Sequence, residues 1–296
     1  MSPRHLFLAL LLVAVWGTNF VALKWSLEEI PPFLLTALRY IFTALPAIFF
    51  IRKPDVSWRF LALYGFVVGI LQFSFAYTGL KLGMPAGLSS IVIQIQAPFT
   101  FILAIWLLGE RPQLLQLVGG VVALAGIGVI ALERIEPTAL IPLLLMVLGA
   151  LSWAGSNIIA KKAGNIDMVG LVIWSSLVVP VPMLILSVLF EGGLGVFAQV
   201  AGDLTLRGGL SVLFTAYLST VFGYGVWAIL LGKYPASTVA PFTLLVPIFG
   251  FGSAFLFLGE SVTTIEVIGS AIVFLGLLIN VFGPRILARR RERAAA

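Results

Sequence analysis

Residues 16–24 read WGTNFVALK, and residues 153–162 read WAGSNIIAKK. Both stretches place an asparagine a few positions after a tryptophan, with small residues between them and lysine at the end. The correspondence continues in three further pairs of motifs: Pro85-Ala86 with Pro235-Ala236, Leu108-Gly109-Glu110 with Leu258-Gly259-Glu260, and Gly119 and Gly126 with Gly269 and Gly276. From Pro85 onward the offset is 150 residues. A repeat of this length indicates two copies of one structural unit.

The composition is that of a membrane protein. Of 296 residues, 60% are hydrophobic and only 10% are charged, and the mean hydropathy is +1.13. A soluble domain is about a quarter charged. Cysteine is absent and His5 is the one histidine, which excludes a disulfide framework, an iron–sulfur cluster, a Cys/His zinc site and a buried nucleophile–histidine pair. We therefore expect no cofactor, no bound metal and no catalytic site.

Ten apolar stretches are each long enough to cross roughly 30 Å of hydrocarbon. They lie at about residues 6–26, 33–51, 60–80, 85–108, 113–132, 139–161, 169–190, 209–231, 236–258 and 264–283. The first is expected to remain as a span, because its apolar run is too long for a signal peptide and no clean cleavage site follows. The sequence thus predicts an all-α membrane protein with ten transmembrane helices.

The repeat and the spans together predict an inverted architecture. Each half contains five spans, an odd number, so the second copy must enter the membrane in the opposite orientation. Two inverted five-helix repeats, residues 1–135 and 136–296, are a plan of secondary transporters, which bind substrate near the membrane midplane between the halves.

The distribution of positive charge predicts the orientation. Of the 18 Lys and Arg residues, four fall on one side, Arg39 lies within a span, and the remaining 13 fall on the other side. The four are Lys24, Lys81, Arg134 and Arg207. Since positive residues gather on the cytoplasmic side, both termini are predicted to be cytoplasmic. The net charge of +6 comes largely from the tail at residues 289–293, so it is interpreted as a topology signal, and no nucleic-acid partner is expected.

Two glutamines, Gln94 and Gln96, stand in the apolar stretch SSIVIQIQAPFT, residues 89–100. Residues two apart lie about 200° apart on a helix, so both could face one cavity only if Pro98 opens the helix locally. An unpaired amide in hydrocarbon costs a few kcal/mol, so each glutamine either lines a substrate cavity or bonds to a neighbouring helix. The repeat partner of Gln96 is apolar in either of two alignments, which favours Gln96 as the cavity residue.

The duplicated polar residues Asn19 and Asn157 each lie in mid-span beside a tryptophan, Trp16 or Trp153. Because they recur, they could pack the first and sixth helices together through small neighbours. They could equally contact substrate, with the tryptophans as pocket walls. The sequence leaves both interpretations open.

Arg39 lies about seven residues into the second span, roughly 10 Å along the helix axis. A charge at this depth is costly and marks a functional site by default. Its guanidinium matches a substrate carboxylate, although the side chain could instead extend to the interface. Tyr224 and Trp227, one helical turn apart, form either an aromatic wall or part of the core. Glu110 and Glu260 are either proton carriers or residues that favour the start of a helix.

Several motifs carry a resemblance to a known family. They are Trp16-Gly-Thr-Asn19 in the first span, Arg39-Tyr40 in the second, and a Gly-Glu pair after the fourth and the ninth. With the two five-span repeats, they make the chain resemble the EamA family of the drug/metabolite transporter superfamily. Members that export O-acetylserine and cysteine share further strings, here residues 15–21, 83–88, 94–97, 171–175, 223–227 and 279–283. Pro98 departs from those exporters, in which an aromatic residue is expected after Ala97.

The resemblance implies a secondary transporter of the bacterial inner (plasma) membrane that exports small amino-acid metabolites by alternating access and is not an enzyme. Its expected partners are that metabolite and the lipid bilayer. One alternative is another cargo, such as an aromatic amino acid or a sugar derivative, or uptake instead of export. Others are an intramembrane enzyme, which would need a titratable cluster at membrane depth, and a permease that works with a separate ATPase. The sequence leaves direction, ion coupling and oligomeric state open.

Overall fold

The structure, a computed structural model, describes residues 1–109, 113–133, 137–164, 166–234 and 239–295, without the side chains of residues 137, 138, 231, 240, 241 and 284–295. Within these ranges the chain forms helices joined by short turns and contains no strand. The predicted boundary between the repeats, at residues 135 and 136, and the candidate Glu110 lie outside the described residues.

Within the described residues the first half contains seven α-helices and the second half contains eight. In the first half they are α1 (Pro3–Glu29), α2 (Pro32–Ala44), α3 (Trp58–Gly65), α4 (Phe73–Lys81), α5 (Ala86–Val92), α6 (Gln96–Leu108) and α7 (Leu114–Glu133). In the second half they are α8 (Pro137–Lys162), α9 (Met168–Ser175), α10 (Pro180–Phe190), α11 (Gly195–Asp203), α12 (Leu206–Leu213), α13 (Gly223–Lys233), α14 (Val246–Leu258) and α15 (Thr264–Ala295).

The repeat seen in the sequence recurs in these boundaries. Helices α6 and α14 begin 150 residues apart, as do α7 and α15. Both α6 and α14 end at a left-handed glycine, Gly109 (φ 66°) and Gly259 (φ 63°), a conformation in which a side chain would be strained. A π-helical stretch joins α3 to α4 (Phe66–Gln72), and another joins α12 to α13 (Phe214–Phe222).

The sequence predicted ten membrane spans. Among the described residues, eight helices are long and apolar enough to cross a membrane, and α9 with α10 would make a ninth, bent by 40°. The bend falls at Pro180, where a proline removes a backbone hydrogen bond. The predicted ninth span, 236–258, begins at residues outside the described part, and its apolar helix, Phe242–Leu258, is shorter than the others.

Helices α7 and α15 pack closely because both carry glycines at their contact. A Cβ on Gly126 would lie 2.6 Å from the backbone nitrogen of Val273, and one on Gly276 would lie 2.4 Å from that of Ala123. These distances are too short for any side chain, so the glycines permit the backbones to touch, as at small-residue contacts in other membrane helices. The duplicated glycines of the sequence are therefore packing residues.

Three carboxylates at one end of the bundle each cap a helix of the opposite half. Glu29, at the end of α1, accepts hydrogen bonds from the backbone N–H and hydroxyl of Thr205 before α12 (2.8 and 2.6 Å). Glu191, after α10, accepts from the first N–H groups of α2, and Glu260 accepts from the first two of α5 at 2.7 and 3.0 Å. A carboxylate is stabilising at a helix N-terminus. Glu260 thus caps a helix, but the helix is α5 of the opposite half and not the helix that follows it in the chain, as the sequence had suggested.

Candidate functional site

Arg39 lies in the interior, 5% exposed, on α2. Its Nη1 donates to the hydroxyl of Tyr77 at 2.7 Å, and its Nη2 donates to Oγ1 of Thr220 at 2.8 Å. The guanidinium carbon stands 4.5 Å from the ring centre of Phe73, a cation–π distance. Among the described residues no carboxylate lies within ion-pair distance of it. A guanidinium has five N–H donors, and these two bonds use two of them.

Arg39 borders a small cavity to which both halves of the chain contribute. Its lining is Arg39, Tyr40, Tyr64, Val68, Phe73, Val172, Ser175, Thr220 and Tyr224. The cavity volume is about 20 Å³, and a water needs about 10–15 Å³ on this scale. It therefore has room for a water in this conformation and is too small for an amino acid.

The π-helical stretch Phe214–Phe222 brings the second half to Arg39. The hydroxyl of Thr220 donates to the carbonyl of Thr215, five residues back, at 2.9 Å. The carbonyl of Ser219 accepts a hydrogen bond of 2.9 Å from Nε1 of Trp16. π-helical turns occur frequently at functional sites. This stretch forms hydrogen bonds with two residues of the first half, Arg39 and Trp16.

Three of the aromatic residues singled out in the sequence come together beside this stretch. The ring of Trp16 lies 6.0 Å from that of Tyr224 and 5.6 Å from that of Trp227, centre to centre. Gly223 permits this approach, because a Cβ there would lie 2.5 Å from Nε1 of Trp16. Trp16 and Trp227 also pack, partly buried, against a hydrophobic cluster of α1 and α13, whereas Tyr224 lines the cavity of Arg39.

A second polar cluster forms where α6 begins. Oε1 of Gln96 accepts from Nδ2 of Asn157 at 2.7 Å and from Oγ1 of Thr100 at 3.3 Å. Nδ2 of Asn157 also bonds to Thr100 at 3.1 Å. Gln96 and Asn157 are both half-buried, and no hydrogen bond within the described residues uses Nε2 of Gln96.

The two glutamines point to different partners. Nε2 of Gln94 donates to the carbonyl of Thr243 in the second half at 2.9 Å, a helix–helix hydrogen bond. The turn between them, Ile93–Ile95, is a 3₁₀-helix that leads into α6. The helix that was expected to open at Ala97 and Pro98 does not open there, because both residues lie inside α6. The irregular turn comes earlier, at Ile93–Ile95, and is tighter than an α-helix, so these contacts do not direct both amides at one cavity.

Within the described residues, two further candidates, Asn19 and Trp153, form none of the hydrogen bonds or ring contacts of these clusters. Asn19 is buried, and its Oδ1 has no hydrogen-bond partner among the described residues. Trp153 packs, partly buried, against the largest hydrophobic cluster. Neither residue lines the cavity of Arg39.

The sequence did not single out Tyr77, Thr220, Tyr64 or Ser175. Two of them hold the Arg39 guanidinium and the others line the cavity beside it. A hint exists for Thr220, because it forms a polar pair with Ser219 inside an apolar span. Its relation to Arg39, 181 residues away, leaves no trace in the local pattern.

Similarity to known proteins agrees with this architecture. The EamA-like transporter family matches residues 4–132 and 140–282, one match in each half. A Salmonella typhimurium protein named "probable amino-acid metabolite efflux pump" is 41% identical over 304 aligned positions, covering 100% of both chains. An Escherichia coli protein with the same name is 39% identical, covering 96% of this chain and 97% of its own. These names point to a transporter rather than an enzyme.

A solved crystal structure is also similar. It covers 95% of this chain and 98% of its own, with a TM-score of 0.61 and 17% sequence identity, and at that identity it shows a shared fold alone. The family match spans both halves and the relatives named above align over nearly their whole length, so the chain belongs to the EamA-like transporter family.

Proposed function

We propose that this chain exports small amino-acid metabolites, such as O-acetylserine and cysteine, across the bacterial inner membrane by alternating access. The observation that carries the proposal is Arg39, a buried guanidinium beside a cavity to which both halves contribute. A carboxylate can accept two parallel hydrogen bonds from such a group, and every amino acid carries one. The names of the two efflux-pump relatives support the cargo class and the direction.

The substrate site would consist of the Arg39 cavity and the wall of Trp16, Tyr224 and Trp227. Gln96 and Asn157 are a second polar contact, available to substrate once the halves separate and their mutual bond breaks. Gln94, whose amide already bonds Thr243, and Asn19 and Trp153 are weaker candidates. Gln94 would serve as a helix contact and Trp153 as a packing residue. The buried Oδ1 of Asn19 has no partner among the described residues, so its contact with substrate stays a prediction.

Alternating access requires the cavity to open to each side in turn. Its volume of about 20 Å³ corresponds to a closed carrier in this interpretation. The carboxylate caps at Glu29, Glu191 and Glu260 join the two halves at one end of the bundle. Those contacts would have to part when the site opens on that side.

The proposed arrangement is ten spans in two inverted repeats, residues 1–135 and 136–296, with both termini cytoplasmic. Contacts between helix ends support the inversion. Lys81, at the end of α4, donates to the carbonyl of Leu27 near the end of α1. A Cβ on Gly79, also near the end of α4, would lie 2.9 Å from the carbonyl of Pro142 near the start of α8. Helix α8 would therefore begin where α1 ends.

The test is counterflow in liposomes that contain only this purified chain. Vesicles loaded with unlabelled cysteine should accumulate labelled cysteine or O-acetylserine from a dilute outside solution. Vesicles that contain Arg39→Gln should lose most of this uptake, and the purified variant should melt at the wild-type temperature in detergent. Uptake with no ATPase present would also exclude the alternative that this chain is a permease that needs a separate ATPase. No counterflow by well-folded wild-type protein, across a panel of amino acids, would overturn the cargo assignment.

One rival cargo has an observation of its own. Four of the nine residues that line the cavity are aromatic, namely Tyr40, Tyr64, Phe73 and Tyr224. Such a lining would also suit the ring of an aromatic amino acid. Phenylalanine and tryptophan therefore belong in the panel. Stronger competition by them than by O-acetylserine would assign the carrier to aromatic cargo.

A further inference from the structure

The contact between Arg39 and Thr220 crosses the two halves of the chain. Arg39 stands on α2 in the first half, and Thr220 belongs to the π-helical stretch of the second. The other hydrogen-bond partner of Arg39 is Tyr77, which lies on α4 in the same half as Arg39. Thr220 is thus the acceptor through which the Arg39 guanidinium bonds to the opposite half.

The π geometry determines how the Thr220 hydroxyl is used. A hydroxyl has one donor hydrogen and two acceptor lone pairs. The hydrogen is engaged by the Thr215 carbonyl five residues back, whereas in an α-helix a threonine bonds to a carbonyl three or four residues back. The oxygen therefore faces Nη2 of Arg39 as an acceptor only, and its orientation is fixed by its own backbone.

An arginine side chain has much rotamer freedom, and a site that binds a carboxylate through two N–H groups needs that freedom removed. Two acceptors and one ring accomplish this for Arg39, namely Tyr77, Thr220 and Phe73. We propose that Thr220 is a positioning residue that holds the Arg39 guanidinium ready for the substrate carboxylate, and only while the two halves are apposed. This inference rests on the proposed function, because it assumes a carboxylate-bearing substrate at Arg39.

The matched variants are Thr220→Val, Thr220→Ser and Thr215→Val. Valine keeps the branched shape and removes the acceptor, while serine keeps the hydroxyl. Thr215 is a fitting control, since it is buried in the same stretch and its hydroxyl bonds to the Val212 carbonyl, away from Arg39.

The effect of these variants on substrate binding is measured by counterflow of labelled cysteine in liposomes. The competitors are unlabelled cysteine and cysteamine, which lacks the carboxylate. We expect Thr220→Val to raise the KM for cysteine about tenfold, because an arginine side chain that is no longer held must lose its rotamer freedom when the substrate binds. The maximal rate should change little, and the preference for cysteine over cysteamine should fall by a similar factor. Thr220→Ser should restore both values and Thr215→Val should leave them unchanged. An equal loss for both compounds would overturn the proposal, because it would indicate a merely structural role.

A second measurement does not depend on transport. Phenylglyoxal reacts with arginine side chains, and peptide mapping reports the modification of Arg39 alone. The closed cavity is too small for this reagent, so the reaction reports how often the halves separate. Arg39 should react several times faster in Thr220→Val than in wild type or Thr215→Val, because the variant lacks the hydrogen bond that holds the guanidinium to the opposite half. Equal rates would overturn the positioning role. If wild-type counterflow were absent while this difference persisted, the proposed cargo would fail and the role of Thr220 in holding Arg39 would stand.

Discussion

Oε1 of Gln96 accepts a hydrogen bond of 2.7 Å from Nδ2 of Asn157. Gln96 begins α6 in the first half and Asn157 lies on α8 in the second, so this bond connects the halves. In the sequence, Asn157 is paired with Asn19, because they are equivalent in the repeat. Gln96 is paired there with Gln94, because they are two residues apart. The contacts in the folded chain follow neither relation, and they make Gln96 and Asn157 one energetic unit.

The bond between Gln96 and Asn157 should be measurable by a double-mutant cycle with Gln96→Leu and Asn157→Leu. Side-chain hydrogen bonds between membrane helices average about 0.6 kcal/mol and reach about 1.7 kcal/mol. We expect each single change to lower stability in detergent, and the double change to cost less than their sum by about that amount. Additive effects would contradict a direct bond between the two side chains.

Gln94→Leu separates helix contact from substrate contact. It removes the bond to the Thr243 carbonyl, so it should lower the melting temperature and leave the affinity for cysteine unchanged. Gln96→Leu should in addition weaken substrate binding roughly ten- to a hundredfold if its amide reaches the substrate. Loss of affinity in Gln94→Leu with unchanged affinity in Gln96→Leu would reverse the assignment.

Glu260 should behave as a helix cap. Glu260→Gln keeps one acceptor oxygen and removes the charge that faces the start of α5, so it should lower stability by about 1 kcal/mol. As a control, Asp203→Asn changes an exposed carboxylate at the end of α11 and should have almost no effect on melting. A proton carrier would give another result: transport by Glu260→Gln would lose its dependence on a pH gradient while melting stayed normal.

Two glycines of α7 provide a matched pair for the packing of α7 against α15. Gly126→Ala would push a Cβ into the α15 backbone, whereas a Cβ on Gly128 would meet nothing within 4 Å. Overpacking costs about 1–3 kcal/mol, so Gly126→Ala should melt several degrees lower than wild type. Gly128→Ala should melt at or above the wild-type temperature, because alanine favours a helix over glycine. Equal melting of the two variants would show that the helices do not touch at Gly126.

The sequence predicted what depends on local pattern and on the repeat. Apolar length located most of the spans, and the depth of Arg39 singled it out before any contact was known. The duplicated glycines indicated the repeat, but their role in the contact of α7 with α15 was not predicted. The sequence did not predict Thr220 or Tyr77 as partners of Arg39, nor Asn157 as the partner of Gln96. Those pairs are determined by how helices distant in the chain pack, and the π-helical stretch that orients Thr220 has no distinct residue pattern.

The last prediction concerns orientation. With positive residues concentrated on one side, both termini should be cytoplasmic, and Gly193, between α10 and α11, should face the opposite side. A reporter that is active only in the periplasm should therefore be silent when fused after Ala296 and active when fused after Gly193. A third fusion after Gly164, beside Lys161 and Lys162, is the internal control and should be silent, because one span, α9 with α10, separates it from Gly193. Activity after Gly164 with silence after Gly193 would reverse the proposed orientation. The same result in both would show that α9 and α10 do not cross the membrane as one bent span.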